Sequence, residues 1–153
     1  MNTNAQILQN VRCVGKLFER MGKKICLSYG LTRLEFDIIS FLASNPGLDT
    51  ARDIVELRML PKANVSLAVE SLMGKGYLVR RQDVQDRRRI HLVLTRQSEA
   101  MLPEITQARR AFVEALFEGF TEAERAQYEQ MSSRISANAL RRLEKGETSN
   151  AGQ

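Results

Sequence analysis

Residues that bind transition metals or form disulfides are scarce in this 153-residue chain. It has one histidine, His91, and two cysteines, Cys13 and Cys26. On one predicted helix the two thiols would lie about 20 Å apart, at about 1.5 Å per residue. Disulfide-bonded Cα atoms lie within about 7 Å of each other. We therefore expect no metal site, no cofactor and no internal disulfide, and two free thiols favour a reducing compartment.

The features of membrane proteins, exported proteins and enzymes are also missing. No apolar stretch is long enough to span a bilayer. The first ten residues, MNTNAQILQN, are polar and uncharged, unlike a signal peptide. We find no nucleophile–base pair, no glycine-rich phosphate loop and no pair of carboxylates at a useful spacing. These absences predict a cytoplasmic protein that is not an enzyme and has no membrane partner.

Positive charge is concentrated in one quarter of the sequence. Residues 58–96 hold nine Lys or Arg and three Asp or Glu, a net charge of +6. The rest of the chain has a net charge of −1, which gives the total of +5. A localised basic region predicts a polyanionic partner, and nucleic acid is favoured over a membrane surface.

Residues 5–27 have the spacing of a long amphipathic helix. Its apolar positions alternate in steps of four and three, like a heptad seam. Such a seam needs an apolar partner, which is either the protein's own core or a second subunit. The seam consists of Ile7, Val11, Val14, Phe18, Met21 and Ile25.

Another face of this helix carries Arg12, Lys16, Arg20 and Lys23. A basic stripe of this kind is typical of a solvated helix face. Its alternative role is to border a ligand cleft between lobes and to favour an anionic effector. Arg12, Lys16 and Arg20 are therefore the candidate effector-binding residues.

Three pairs of Thr and an acidic residue three positions later mark the starts of further helices. Between them, "LPKANVSLAVESLMGKGYL" predicts an exposed helix with an inward stripe. Residues 77–95 predict a hairpin, and a single helix is expected from about 95 to 120, with a kink or late start at Pro103. A last helix is expected over 122–145. The three pairs are Thr32 with Glu35, Thr50 with Asp53, and Thr121 with Glu124.

This order of elements predicts a helix-turn-helix followed by a wing. At these residues the sequence resembles the MarR family of bacterial transcriptional regulators. The hairpin "DVQDRRRIHLVLT" is similar to that family's wing, "NVSLAVESLMGKGYLVRR" to its recognition helix, and "LTRLEFDIISFLAS" to its second helix.

The resemblance implies a mainly α fold with a small β-hairpin wing. It divides the chain into a winged helix-turn-helix lobe, 31–96, and a helical dimerisation region, 1–30 and 97–146. Residues 147–153 are expected to be a disordered tail. The implied function is a homodimeric regulator, most often a repressor, that binds a pseudo-palindromic operator in double-stranded DNA. A small molecule or oxidation would release it.

Candidate DNA-binding residues follow from the same resemblance. Asp86 and Arg88 match the family's wing, where the aspartate orients the arginine and the arginine enters the minor groove. Leu67 stands where an arginine is common in the family. The recognition-helix candidates are Lys62, Ala63, Asn64, Ser66 and Leu67, and the wing candidates are Asp86, Arg87, Arg88 and Arg89.

Two alternatives remain open at this point. The basic lobe could be a winged-helix interaction module that binds a protein or RNA. The regulator could instead respond to oxidation through Cys13 or Cys26, although we expect both to be buried as small hydrophobic residues.

Overall fold

A computed structural model describes residues 2–150 of the chain, with side chains up to residue 144. It confirms the predicted class, which is mainly α with a two-stranded antiparallel hairpin. The helices are α1 (Thr3–Tyr29), α2 (Arg33–Ser44), α3 (Ala51–Arg58), α4 (Lys62–Gly74), α5 (Arg96–Glu99), α6 (Leu102–Leu116) and α7 (Glu122–Asn150), and the strands are β1 (Leu78–Gln82) and β2 (Ile90–Leu94).

The predicted helix starts are confirmed by their capping hydrogen bonds. The Thr32 hydroxyl accepts from the Glu35 backbone N–H, and the Glu35 carboxylate accepts from the Thr32 N–H at 2.7 Å. Thr50 forms the same reciprocal pair with Asp53, and so does Thr121 with Glu124. These bonds satisfy backbone donors that the first turn of a helix leaves free.

The prediction of one helix from 95 to 120 is wrong, because the segment forms two helices. Thr95 caps the short helix α5, and a turn at Ala100 and Met101 separates it from α6. The Met101 side chain is fully buried at this turn. Pro103 lies in the first turn of α6, where its missing N–H costs no hydrogen bond. The expected late helix start is confirmed.

The hydrophobic core lies where α2 meets α1, α4 and the hairpin. Ile38, Ile39 and Leu72 are completely buried in it. Gly22 allows α1 to approach α2 closely, since a Cβ atom there would lie 3.1 Å from the Phe36 ring. The lobe therefore holds α4 by one apolar face and leaves its other face to solvent.

A half-buried ion pair fixes the end of α4 against the start of α2. The Lys75 ammonium donates to the Glu35 carboxylate and to the Gly30 carbonyl, each at 2.7 Å. Burial raises the pKa of Glu35, but hydrogen bonds from Lys75, Ser71 and Thr32 outweigh it, so the pKa lies below its ordinary value. The charged form of Glu35 thus secures the orientation of α4.

The chain divides into two compact units at Val113 and Glu114. The first contains α1 together with the winged lobe, and the second contains α7, whose Tyr128 packs edge-on to Phe117 with ring centroids 5.2 Å apart. The division into a dimerisation region and a DNA-binding lobe stays a prediction. The backbone of α7 continues to Asn150, into the segment 147–153 predicted as a disordered tail, and residues 151–153 lie outside the described residues.

Candidate nucleic-acid interface

Helix α4 is buried on one face and exposed on the other. Val65, Val69 and Leu72 point into the core, as their spacing predicts. On the opposite face the Leu67 side chain is 72% exposed. All five recognition-helix candidates, Lys62, Ala63, Asn64, Ser66 and Leu67, are exposed.

A tight turn joins α3 to α4, as in a helix-turn-helix. Met59 ends α3 in the left-handed backbone region with φ of 51°, which is uncommon for a residue other than glycine. The Leu60 N–H then donates to the Val55 carbonyl at 3.2 Å. Pro61 precedes the first turn of α4, where its fixed φ suits the entry into a helix.

The wing is a regular hairpin closed by a hydrogen-bonded tip. Its strands pair from Leu78 with Leu94 to Gln82 with Ile90. At the tip the Asp83 N–H donates to the Arg89 carbonyl at 3.0 Å, and the Arg89 N–H donates to the Asp86 carbonyl at 2.9 Å. The wing candidates Asp86, Arg87, Arg88 and Arg89 are all exposed on this tip.

Asp86 contacts the backbone of Arg88. Its Oδ1 accepts a hydrogen bond from the Arg88 N–H at 3.0 Å. Among the described residues, none of the ion pairs joins Asp86 to the Arg88 guanidinium. Asp86 therefore fixes the path of the chain at Arg88 and leaves the guanidinium free to reach outward.

Ion pairs separate the basic residues of this region into two groups. Arg80 pairs with Glu70 at 2.6 Å and Lys75 with Glu35 at 2.7 Å. Within the described part of the chain, no ion pair includes the three arginines 87–89 of the tip. The positive charge available to a polyanion is thus greatest at the wing tip.

His91 has a place in the wing that the sequence did not reveal. Its ring on β2 lies between two carboxylates, with Nδ1 2.6 Å from Asp49 and Nε2 2.9 Å from Asp83. Hydrogen bonds to Asp83 and to Asp49 raise the pKa of His91 above its ordinary value. Hydrogen bonds from the Asp86 backbone, from His91 and from the Gln85 backbone lower the pKa of Asp83 to about 2. Asp49 is 42 positions from His91, so spacing gave no signal of the contact.

A separate open cavity of about 520 Å³ lies between α1 and α2. Lys16 and Arg20, two of the three candidate effector residues, line it together with Lys23. Arg12, the third candidate, is exposed and is not among the lining residues. Phe18 and Phe36 supply the apolar part of the wall. The cavity therefore combines cations with aromatic rings.

The two thiols differ in environment. Cys26 is half-buried and also lines this cavity. Burial, and then the negative charge of Asp37, raise the pKa of the Cys26 thiol. Cys13 is exposed, so the expectation that both cysteines are buried is wrong for it. The neighbouring residues 2–14 of the chain are exposed as well.

Over residues 2–150, none of the helices has an apolar stretch long enough to cross a membrane. Across the described side chains, no three His, Cys, Asp or Glu residues come together as a metal site would require.

Comparison with known proteins agrees with the winged fold. The MarR family model matches residues 29–89, so the winged lobe is MarR-like in sequence. No curated protein matches the chain.

Three solved structures have the same fold over most of their length. A MarR regulator from Methanosarcina mazei Go1 is 20% identical with a TM-score of 0.73, covering 90% of this chain and 98% of its own. A MarR protein from Peptoclostridium difficile is 22% identical with a TM-score of 0.76, covering 91% and 89%. A MarR-family regulator from Listeria monocytogenes in complex with 26mer DNA is 17% identical with a TM-score of 0.75, covering 90% and 89%. The predicted resemblance is thereby confirmed.

Proposed function

We propose that this MarR-like chain is a transcriptional repressor that binds a pseudo-palindromic operator as a homodimer and is released by a small anionic ligand. The observation that carries the proposal is the pairing of an exposed helix face on α4 with three exposed arginines on the wing of the same lobe. A helix in the major groove and a basic tip in the adjacent minor groove form a common docking geometry. The complex of the Listeria structure with DNA supports it.

The homodimer accounts for apolar residues that the chain leaves bare. On α1, Ile7 and Val11 are 54% and 68% exposed, and on α7, Met131 and Ile135 are 52% and 68% exposed. Stripes of large apolar side chains in solvent mark interaction surfaces. Burial against a second copy would also bring two winged lobes to the two half-sites of one operator.

The anionic ligand is proposed for the cavity between α1 and α2. Lys16, Arg20 and Lys23 offer positive charge, while Phe18 and Phe36 offer aromatic surface. A small molecule with an apolar body and an acidic group would satisfy both.

The function is tested by fluorescence anisotropy with a duplex from the chain's own promoter region. The protein should prefer this duplex to a scrambled one, and log K should fall with log salt by about 0.9 for each phosphate neutralised. Equal binding to scrambled DNA, or preference for RNA, would favour the alternative of a general interaction module.

Variants of the wing sharpen the same test. Arg88→Ala should cost about 1–3 kcal/mol per half-site, as expected for a specific groove contact. Asp86→Ala should also weaken binding, although removing a negative charge would help by simple attraction, because the Arg88 backbone loses its acceptor. Arg89→Ala should cost less. Lys24→Ala, a matched removal of charge from an exposed site outside these surfaces, is the control.

A further inference from the structure

The histidine of the wing must donate from both ring nitrogens. Its Nδ1 and Nε2 lie 2.6 Å and 2.9 Å from oxygens of Asp49 and Asp83. Ionised carboxylates only accept hydrogen bonds, and a neutral imidazole has a single N–H. In either neutral tautomer of His91, one of these contacts would set two lone pairs against each other. The geometry therefore requires the imidazolium.

The charges around the ring agree with that form. Asp49 approaches from the loop before α3, and Asp83 from the turn after β1. Arg81 is the register partner of His91 on β1, so it lies on the same face of the hairpin, and it is exposed. The two carboxylates outweigh this cation, and the pKa of His91 is raised.

Each carboxylate that His91 contacts also holds a part of the proposed DNA-binding surface. The Asp83 Oδ1 accepts from the backbone N–H groups of Gln85 and Asp86, both at 2.7 Å, and so closes the turn that leads to Arg88. The Asp49 carbonyl accepts from the Leu92 N–H at 2.7 Å. Asp49 also directly precedes the residue that caps α3. One ring thus connects the wing tip to the helix-turn-helix.

We propose that His91 is a positioning residue for operator binding: its doubly donating ring fixes the wing tip that carries Arg88, and operator affinity falls when the ring loses its proton. The inference rests on the proposed function, because operator binding is the property that His91 would tune. The protonation of the His91 ring is also a property of the free protein, so it can be measured without DNA.

The direction of the pH effect follows from the two shifts. The pKa of His91 is raised in the folded protein. Both hydrogen bonds from the ring to Asp49 and Asp83 are therefore present below the ordinary histidine pKa of about 6.5, and one of them is lost as pH rises through the raised pKa. The pKa of Asp83 is lowered to about 2, so its charge is present throughout the range of interest. Affinity should therefore be highest in mildly acidic solution and fall as pH rises through the raised pKa of His91.

The free protein gives the first test. The chain has one histidine, so in an untagged sample its ring signals in a nitrogen–proton NMR correlation need no assignment. We expect two protonated ring nitrogens at pH 6 and a titration midpoint above 6.5. A single protonated nitrogen at pH 6, or a midpoint at or below 6.5, would overturn the proposal.

Operator binding gives the second test, in titrations at one salt concentration from pH 6.5 to 9. Wild-type affinity should fall by about tenfold, the size expected for one hydrogen bond to a charged group. His91→Gln cannot donate in opposite directions, so it should already be about tenfold weaker than the wild type at pH 6.5 and should stay at that affinity up to pH 9. His91→Arg keeps a cation that reaches both carboxylates, so it should bind like the wild type at pH 6.5 and stay flat. Any loss of operator affinity at alkaline pH that His91→Arg still shows is due to thiols or lysines and not to the ring.

A double substitution distinguishes positioning from general stabilisation. If His91 acts through the tip, Arg88→Ala should cost less in the His91→Gln background than in the wild type. The proposal would be overturned if Arg88→Ala cost the same affinity in both backgrounds, or if the operator affinity of the wild type did not change with pH. If no variant binds the promoter duplex, the proposed function fails together with the operator role, and the NMR titration still decides whether the ring is a bridging imidazolium.

Discussion

The two halves of α1 have the same apolar spacing and opposite environments. In the first half, Val11 is 68% exposed and Val14 is 39% exposed. In the second half, Ile25 is 5% exposed, and the Phe18 ring lies 5.9 Å from the Phe36 ring and 5.3 Å from the Phe112 ring. One continuous helix therefore has a packed half and a bare half.

This difference shows what a heptad-like seam can and cannot predict. The spacing of the seam says that a stripe must be covered, because exposed apolar surface costs about 25 cal/mol per Å². It does not say which surface provides the cover. The lobe covers the second half of α1, and the proposed partner subunit covers the first.

The largest expected effect comes from truncating the packed half. Ile25→Ala should lower the free energy of unfolding by about 2–5 kcal/mol, because it leaves a cavity in the core. Val11→Ala is the matched control in the bare half. It should change stability only through dimerisation, so its effect should be largest at high protein concentration and should vanish where both proteins are monomeric. Urea unfolding at two concentrations measures both.

Equal and concentration-independent losses for the two variants would contradict the comparison. That result would mean that the first half of α1 packs within its own chain.

The second expected effect is on assembly. Val11→Glu places a carboxylate in the proposed interface, where its burial costs several kcal/mol. At micromolar concentration the wild type should sediment as a dimer and the variant as a monomer with unchanged helix content. Gln9→Glu adds the same charge on the opposite side of α1, about 160° away, and should remain dimeric. A wild-type monomer would refute the dimer outright.

The features predicted correctly from sequence are those that neighbouring residues determine. A Thr and an acid three positions later cap a helix by themselves, as at Thr32 and Thr50. Strand alternation and the stripe of Val65, Val69 and Leu72 likewise follow from residues close in the chain. These local rules place the recognition helix and the wing.

The features that were missed depend on distant contacts. His91 looked unimportant because one histidine builds no metal site, but the fold brings Asp49 and Asp83 to its two nitrogens. The separate short helix α5 was also missed, because the apolar spacing continues through Met101, which is buried at the turn between α5 and α6. Asp86 was predicted to orient Arg88, and the structure adds that the contact is with the Arg88 backbone N–H.

The smallest expected effect concerns the thiols, which occupy different halves of α1. Cys13 lies in the bare half and is exposed, whereas Cys26 lies in the packed half with a raised pKa due to burial and to the charge of Asp37. The thiolate is the reactive form, so Cys26 should react with an aromatic disulfide reagent at least about tenfold more slowly than Cys13 at pH 8. Its rate should still rise with pH above the ordinary thiol pKa of about 8.5.

Cys13→Ser and Cys26→Ser separate the two rates, and the monomeric Val11→Glu background removes any cover from a partner. If Cys26 reacted as fast as Cys13 in this background, the second half of α1 would be accessible to solvent. The alternative of a regulator that responds to oxidation through Cys26 would then be supported. A slow Cys26 has little thiolate to attack peroxide, which favours release by a ligand over release by oxidation of this thiol.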